Sequence, residues 1–237
     1  MYRQIHQGKE CGKTTIPTTV FYHIPVDFSM GGEMLNKLKL INMQDVAVEE
    51  VQWLLYPFIP YGKITIIQGD PGEGKTTLVL QIIARLTKGD PIVNEAAKAP
   101  VNVIYQTAED GLSDTIKPRL LSADADCSKV LVIDDKDVPL TMRDIRLEQA
   151  IIETNAKLVV LDPIQGFLGA DVDMHRANEI RPVMKHIAEL AEKYQCAIIL
   201  IGHMNKSSIG KSAYRGLGSI DCLLYTSPSP RDPKTSR

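Results

Sequence analysis

The sequence predicts an α/β domain built on a mostly parallel sheet with helices on both sides, and three observations carry that expectation. From Gly62 onward, short aliphatic runs alternate with stretches of helical periodicity, the pattern of repeated strand–helix units. The runs are apolar throughout rather than at every second position, as strands covered on both faces require. Aromatic residues make up only 5% of the 237 residues, so the core must be mostly Ile, Leu, Val and Ala.

Taken in order, residues 63–68 (KITIIQ), 101–105 (VNVIY), 130–133 (VLVI), 158–161 (LVVL) and 197–201 (AIILI) read as buried strands. Helical patterns fall near residues 75–88, 112–121, 143–155 and 177–194. The last of these lines up Ile180, Val183, Met184, Ile187, Leu190, Ala191 and Tyr194 on one face. Pro182 either kinks that helix or marks its true first turn. In an open parallel sheet ligands sit beyond the carboxyl ends of the strands, so the residues just after each run carry the functional expectation.

Residues 1–45 show no sustained period and are expected to form a poorly ordered extension, or upstream sequence if Met30, Met34 or Met43 is the true start. Residues 46–221 are expected to form the folded domain. The formal net charge of −2 gives no global attraction to nucleic acid or an anionic membrane, so any DNA contact must come from a local patch. No apolar run approaches the roughly 20 residues that cross a bilayer, and the polar N-terminus lacks the apolar segment of a secretory signal. Cys11, Cys127, Cys196 and Cys222 have no metal-ligand spacing, and Cys196 reads as a small buried hydrophobe. A reduced cytoplasmic protein is the expectation.

Gly69, Asp70, Pro71, Gly72, Glu73, Gly74, Lys75 and Thr76 fit G-x-x-x-x-G-K-[ST] at every fixed position, with a strand before and a helix after. Glycines let such a loop turn tightly and aim successive N–H groups at phosphate oxygens. The helix adds its positive dipole end, and the cradle is expected to run through Thr77. Lys75 is expected to reach the β- and γ-phosphates of ATP, and Thr76 to place its hydroxyl on Mg²⁺. An upstream GKECGKT (residues 8–14) has only three residues between its glycines and no preceding strand, so it is assigned no function.

The strand LVVL ends in Asp162, which reads as a magnesium holder acting through water, a loop cap being the alternative. VIYQTAEDG places Glu109 and Asp110 beyond the second strand, where a carboxylate can orient and deprotonate an attacking water. Glu109 is the first choice of base and Asp110 the second; either could instead cap the next helix, as could Ser113. His203 closes the fifth strand, either as a polar sensor of the γ-phosphate or as a filler. Residues 205–215 (NKSSIGKSAYR) carry Lys206, Lys211 and Arg215, read either as a solvated loop or as a contact to nucleic acid or a neighbour's nucleotide.

With those residues in place, the chain resembles the RecA-like P-loop ATPases, and within them the RepA-like hexameric replicative helicases of plasmids and phages. PYGKITIIQGDPGEGKTTLVLQ, VIYQTAEDG followed by Lys117-Pro118-Arg119, LVVLDPIQGF, RANEIRPVMKHIAELA, IGHMNK and YRGLGSID carry the resemblance, over about residues 51–221. It implies a homo-oligomeric ring with ATP at each interface and single-stranded DNA in the centre. Within it Glu109 matches the base and His203 the sensor. After Asp221, where the family continues with a strand bearing an arginine finger, the chain reads CLLYTSPSPRDPKTSR. That string resembles a translated sequencing adapter, and Pro228, Pro230 and Pro233 suit no central strand. Residues 222–237 are therefore expected to be an artefactual tail on a C-terminally truncated core. Such a core should hydrolyse poorly, since a finger contributes about 10³-fold or more in rate.

Two functions are expected from this pattern: an ATP-driven motor on single-stranded DNA in replication of a mobile element, or a RecA-like regulatory or recombination-mediating ATPase that unwinds nothing. A small-molecule kinase is disfavoured, because Glu109 and His203 are hydrolase and sensor placements and no Arg-rich lid is evident.

Overall fold

The computed structural model describes residues 39–92, 96–174 and 176–203, and of His203 the backbone alone. The expectations for residues 1–38, the basic loop 205–215, the segment 214–221 and the tail 222–237 lie outside the described residues. The chain divides into two units, residues 1–48 and 49–237. In the first, a 3-10 turn at Met43–Asp45 is capped by the Asn42 side chain, which accepts from Gln44 N at 3.0 Å.

The second unit opens with an antiparallel hairpin, β1 (Trp53–Leu55) and β2 (Ile59–Pro60). Five further strands follow: β3 (Ile64–Gly69), β4 (Val103–Thr107), β5 (Val130–Leu131), β6 (Leu158–Asp162) and β7 (Ala197–His203). They pair in parallel in the order β3-β7-β6-β4-β5. Between them run α1 (Lys75–Lys88), α2 (Lys117–Ser122), α3 (Ile145–Thr154) and α4 (Ala177–Tyr194). The expected α/β architecture, a mostly parallel sheet flanked by helices, is the observed one.

Period-2 geometry sends alternate strand side chains to opposite faces, and both faces are covered. Ile104, Val159, Leu161, Ile198 and Leu200 pack with α3 and α4 through Leu147, Ile151, Ile180, Val183, Ile187 and Leu190. Val103, Tyr105, Leu158, Val160, Ile199 and Ile201 pack on the other side with Val79, Leu80, Ile83 and Leu86 of α1, Leu120 of α2, and the hairpin residues Leu54, Leu55 and Ile59. Each fully buried Ile, Leu or Val stabilises by about 1.5–3 kcal/mol before its entropy cost. Cys196 sits fully buried among these residues, and burial pushes its thiol up to about 11, as a small inert hydrophobe should behave.

Two local departures from the expected pattern occur, and one open alternative is narrowed. The run at 130–133 pairs as a strand only over Val130–Leu131, because the buried Gln106 side chain takes over at Ile133. Its amide donates to Ile133 O at 3.0 Å and accepts from Ile133 N at 3.1 Å, standing in for a backbone partner. The helix expected at 112–121 starts as a wide π-type turn at Leu112–Ile116 before α2, with Gly111 at its N-cap and no side-chain cap. Neither Asp110 nor Ser113 holds that cap position. Pro182 lies inside α4, which starts five residues earlier at Ala177, so the proline does not mark its first turn. Among the described residues no helix is long and apolar enough to cross a membrane.

Candidate functional site

Four strand ends converge at the carboxyl edge of the sheet. β3 leads into the glycine-rich loop, β6 ends on Asp162, β4 leads to Glu109, and β7 ends at His203, whose backbone is in register with Gly69. Because β7 lies between β3 and β6, the loop and Asp162 flank the end of one central strand. His203 is placed there by its backbone.

The loop from Gly69 to Thr77 begins on a buried glycine and is exposed from Pro71 to Gly74. Gly72 and Gly74 have φ of +86° and +81°, and a Cβ built on either meets no atom within 4 Å. Both therefore present left-handed backbone to open space, a conformation that glycine adopts without strain. Gly74 caps α1 with no side-chain hydrogen bond, so the cap residue itself does not compete for the first N–H groups of the helix. Thr77 is exposed in that first turn. The Glu73 carboxylate folds back to accept from Asp70 N at 2.8 Å, and it occupies the place a Cβ on Gly69 would need.

Lys75 is buried, and its ammonium donates to Gly69 O at 3.0 Å and Asp70 O at 2.8 Å. Those bonds use two of its three protons. One residue on, Thr76 Oγ1 donates to Asp162 Oδ2 at 2.8 Å, joining positions 86 residues apart. Asp162 is 5% exposed and receives a second hydroxyl, Tyr105 Oη to Oδ2 at 2.9 Å. Burial first, then the charge of Asp162, pushes the Tyr105 phenol far above its usual range. Tyr105 had no part in the sequence expectation. The signal was an aromatic with a polar tip inside an aliphatic strand, which once buried needs a hydrogen-bond partner.

Beyond β4, Ala108 N donates to Asp162 O at 3.0 Å, tying the chain before Glu109 to the end of β6. Glu109 N and Asp110 N both lie on Thr107 Oγ1, at 3.4 Å and 3.1 Å. Glu109 is exposed, while the Asp110 carboxylate pairs with Arg119 Nη1 from α2 at 3.4 Å. Gly166, in the turn after β6, lies so close to Ala108 that an added Cβ would run into the Ala108 methyl.

An ammonium at a loop mouth, open left-handed glycines and a hydroxyl–carboxylate pair of hard oxygen ligands make a donor set that fits a phosphate chain with Mg²⁺. Among the described residues no cluster of three or more His, Cys, Asp or Glu forms a metal site by itself.

Several curated proteins described as DNA repair protein RadA are similar to this chain. The one from Halalkalibacterium halodurans is 28% identical over 184 residues, covering 76% of this chain and 36% of that protein. Those from Streptococcus pneumoniae and Pseudomonas aeruginosa are 24% and 25% identical, over 83% and 92% of this chain and 45% and 47% of theirs. The chain thus spans less than half the length of these relatives. The five-stranded parallel sheet with its phosphate loop is a RecA-like P-loop core. The model of the AAA domain family matches residues 34–208, and the chain belongs to that family.

Proposed function

We propose that this chain binds ATP with Mg²⁺ and hydrolyses it in the service of DNA metabolism. The observation that carries the proposal is the Lys75–Thr76–Asp162 constellation: a buried ammonium in the loop, and a hydroxyl bonded to a strand-end carboxylate. In this reading the loop from Gly69 to Thr77 cradles the phosphates, with the N–H groups at the start of α1 facing them, and Lys75 neutralises their charge. Thr76 and Asp162 would hold the cation. Magnesium, when bound, supplies positive charge at the phosphate oxygens. Glu109 orients the attacking water and takes its proton, and His203 senses the phosphate from the end of β7.

The closeness of Gly166 to Ala108 yields a test of the base assignment. Gly166→Ala forces the Ala108 methyl to move and shifts the backbone that carries Glu109. Turnover is expected to fall by about 10²-fold, the scale of a 1 Å misplacement, with little change in nucleotide affinity. Steady-state ATPase rates beside a labelled-nucleotide titration check this.

The resemblance of the motifs supports a ring-forming motor that translocates on single-stranded DNA in replication of a mobile element. The shared description of the relatives as DNA repair proteins favours a second reading, a recombination- or repair-associated ATPase that need not unwind. ATPase assays with and without single-stranded DNA, run beside strand displacement, separate the two. DNA-stimulated turnover with displacement supports the motor, and stimulation without displacement supports the second reading. Absence of Mg²⁺-dependent ATP binding by the folded protein removes both.

A further inference from the structure

Tyr105 stands at the middle of β4, fully buried, on the sheet face that packs against α1. Its phenol reaches from the Tyr105–Val160 register position to the end of β6 and donates to Asp162 Oδ2. Thr76 Oγ1 donates to that same oxygen. Period-2 geometry explains the convergence: Leu158, Val160 and Asp162 share one face of β6, the face toward α1, whose first turn carries Thr76. Both hydroxyl protons therefore go to Oδ2, and Oδ1 has no hydrogen bond among the described residues. A hydroxyl that gives its proton to a carboxylate turns its lone pairs away from it. The direction in which Thr76 offers its oxygen thus depends on where Oδ2 is held, and Tyr105 holds it from inside the core.

We propose that Tyr105 is a positioning residue for cation binding: its phenol fixes the Asp162 carboxylate, which in turn aims the Thr76 hydroxyl. The proposal rests on the nucleotide reading above and assigns to that site a member its motifs do not contain. A buried phenol could instead have bonded a backbone carbonyl of its own sheet. Here it spans two strands to a charged group, and hydrogen bonds to charged groups are the strong ones.

The test is Tyr105→Phe, which keeps the ring in the core and removes one hydroxyl. Affinity for a fluorescent ATP analogue is measured in EDTA and across a Mg²⁺ titration, with melting temperature recorded without ligand. The expected result is a Mg²⁺ requirement raised about tenfold, the scale of one lost hydrogen bond to a charged group, recovered at high Mg²⁺. Affinity in EDTA stays at the wild-type value. In a double-mutant cycle with Asp162→Asn, the two Mg²⁺ effects should be strongly non-additive, because Tyr105 acts through that carboxylate. An unchanged Mg²⁺ titration overturns the proposal. So does a lowered melting temperature with equal losses of affinity with and without Mg²⁺, and so does additivity in the cycle. A wild-type protein with no Mg²⁺-dependent binding at all overturns instead the nucleotide reading on which it rests.

Discussion

Glu109→Gln is expected to lower ATP turnover by about 10²- to 10⁴-fold, the usual contribution of a positioned general base, while nucleotide affinity stays near the wild-type value. The side chain keeps its size and its reach beyond β4 but loses the ability to accept a proton. Geometry favours Glu109 over its neighbour. The Asp110 carboxylate pairs with Arg119 of α2, and Glu109 follows directly on the Ala108 amide that is tied to Asp162 O. That tie sets the proposed base relative to the end of β6, next to the carboxylate proposed to hold the cation. Single-turnover hydrolysis and a labelled-ATP titration on one preparation separate chemistry from binding. Turnover surviving in the variant would move the assignment to Asp110, with Asp110→Asn the next protein to measure.

Much of this site was legible in the sequence because its pieces are local. A glycine-rich loop must follow a strand and precede a helix to aim its amides, and residues 63–88 state all three in one stretch. An aliphatic run such as LVVL can only be buried, and its last residue, Asp162, then falls at a strand end. What stayed hidden depends on register and on packing between distant segments. Nothing near Tyr105 says that β4 and β6 pair so that its phenol reaches Asp162. Gln106 reads as a polar residue at a strand end, yet it replaces a backbone partner for Ile133. Gly166 reads as part of a turn, and only the fold places it against Ala108. The β1–β2 hairpin was missed because Pro57 and Pro60 punctuate a run too short for a period to register.

Lys75→Ala is expected to abolish measurable ATP binding, with affinity reduced by at least about 10²-fold. That is the scale of losing two or more hydrogen bonds to a charged group. The lysine has two jobs in this geometry. Its ammonium holds the carbonyls of Gly69 and Asp70 together at the loop mouth, and it brings a buried positive charge to the site. Alanine removes both, so the loop loses its shape as well as its charge. Lys75→Arg separates the two contributions, because it retains the charge in a wider planar group that cannot fit the same pair of carbonyls. If charge alone grips the phosphates, the arginine protein should recover most of the affinity. If the compact ammonium is needed to hold the loop, it should bind as poorly as the alanine protein. Isothermal titration of both variants with Mg²⁺·ATP decides between these outcomes. An alanine protein that binds like the wild type would place the phosphates elsewhere, because no nucleotide could lie in this loop unaffected by removal of the ammonium that its carbonyls hold.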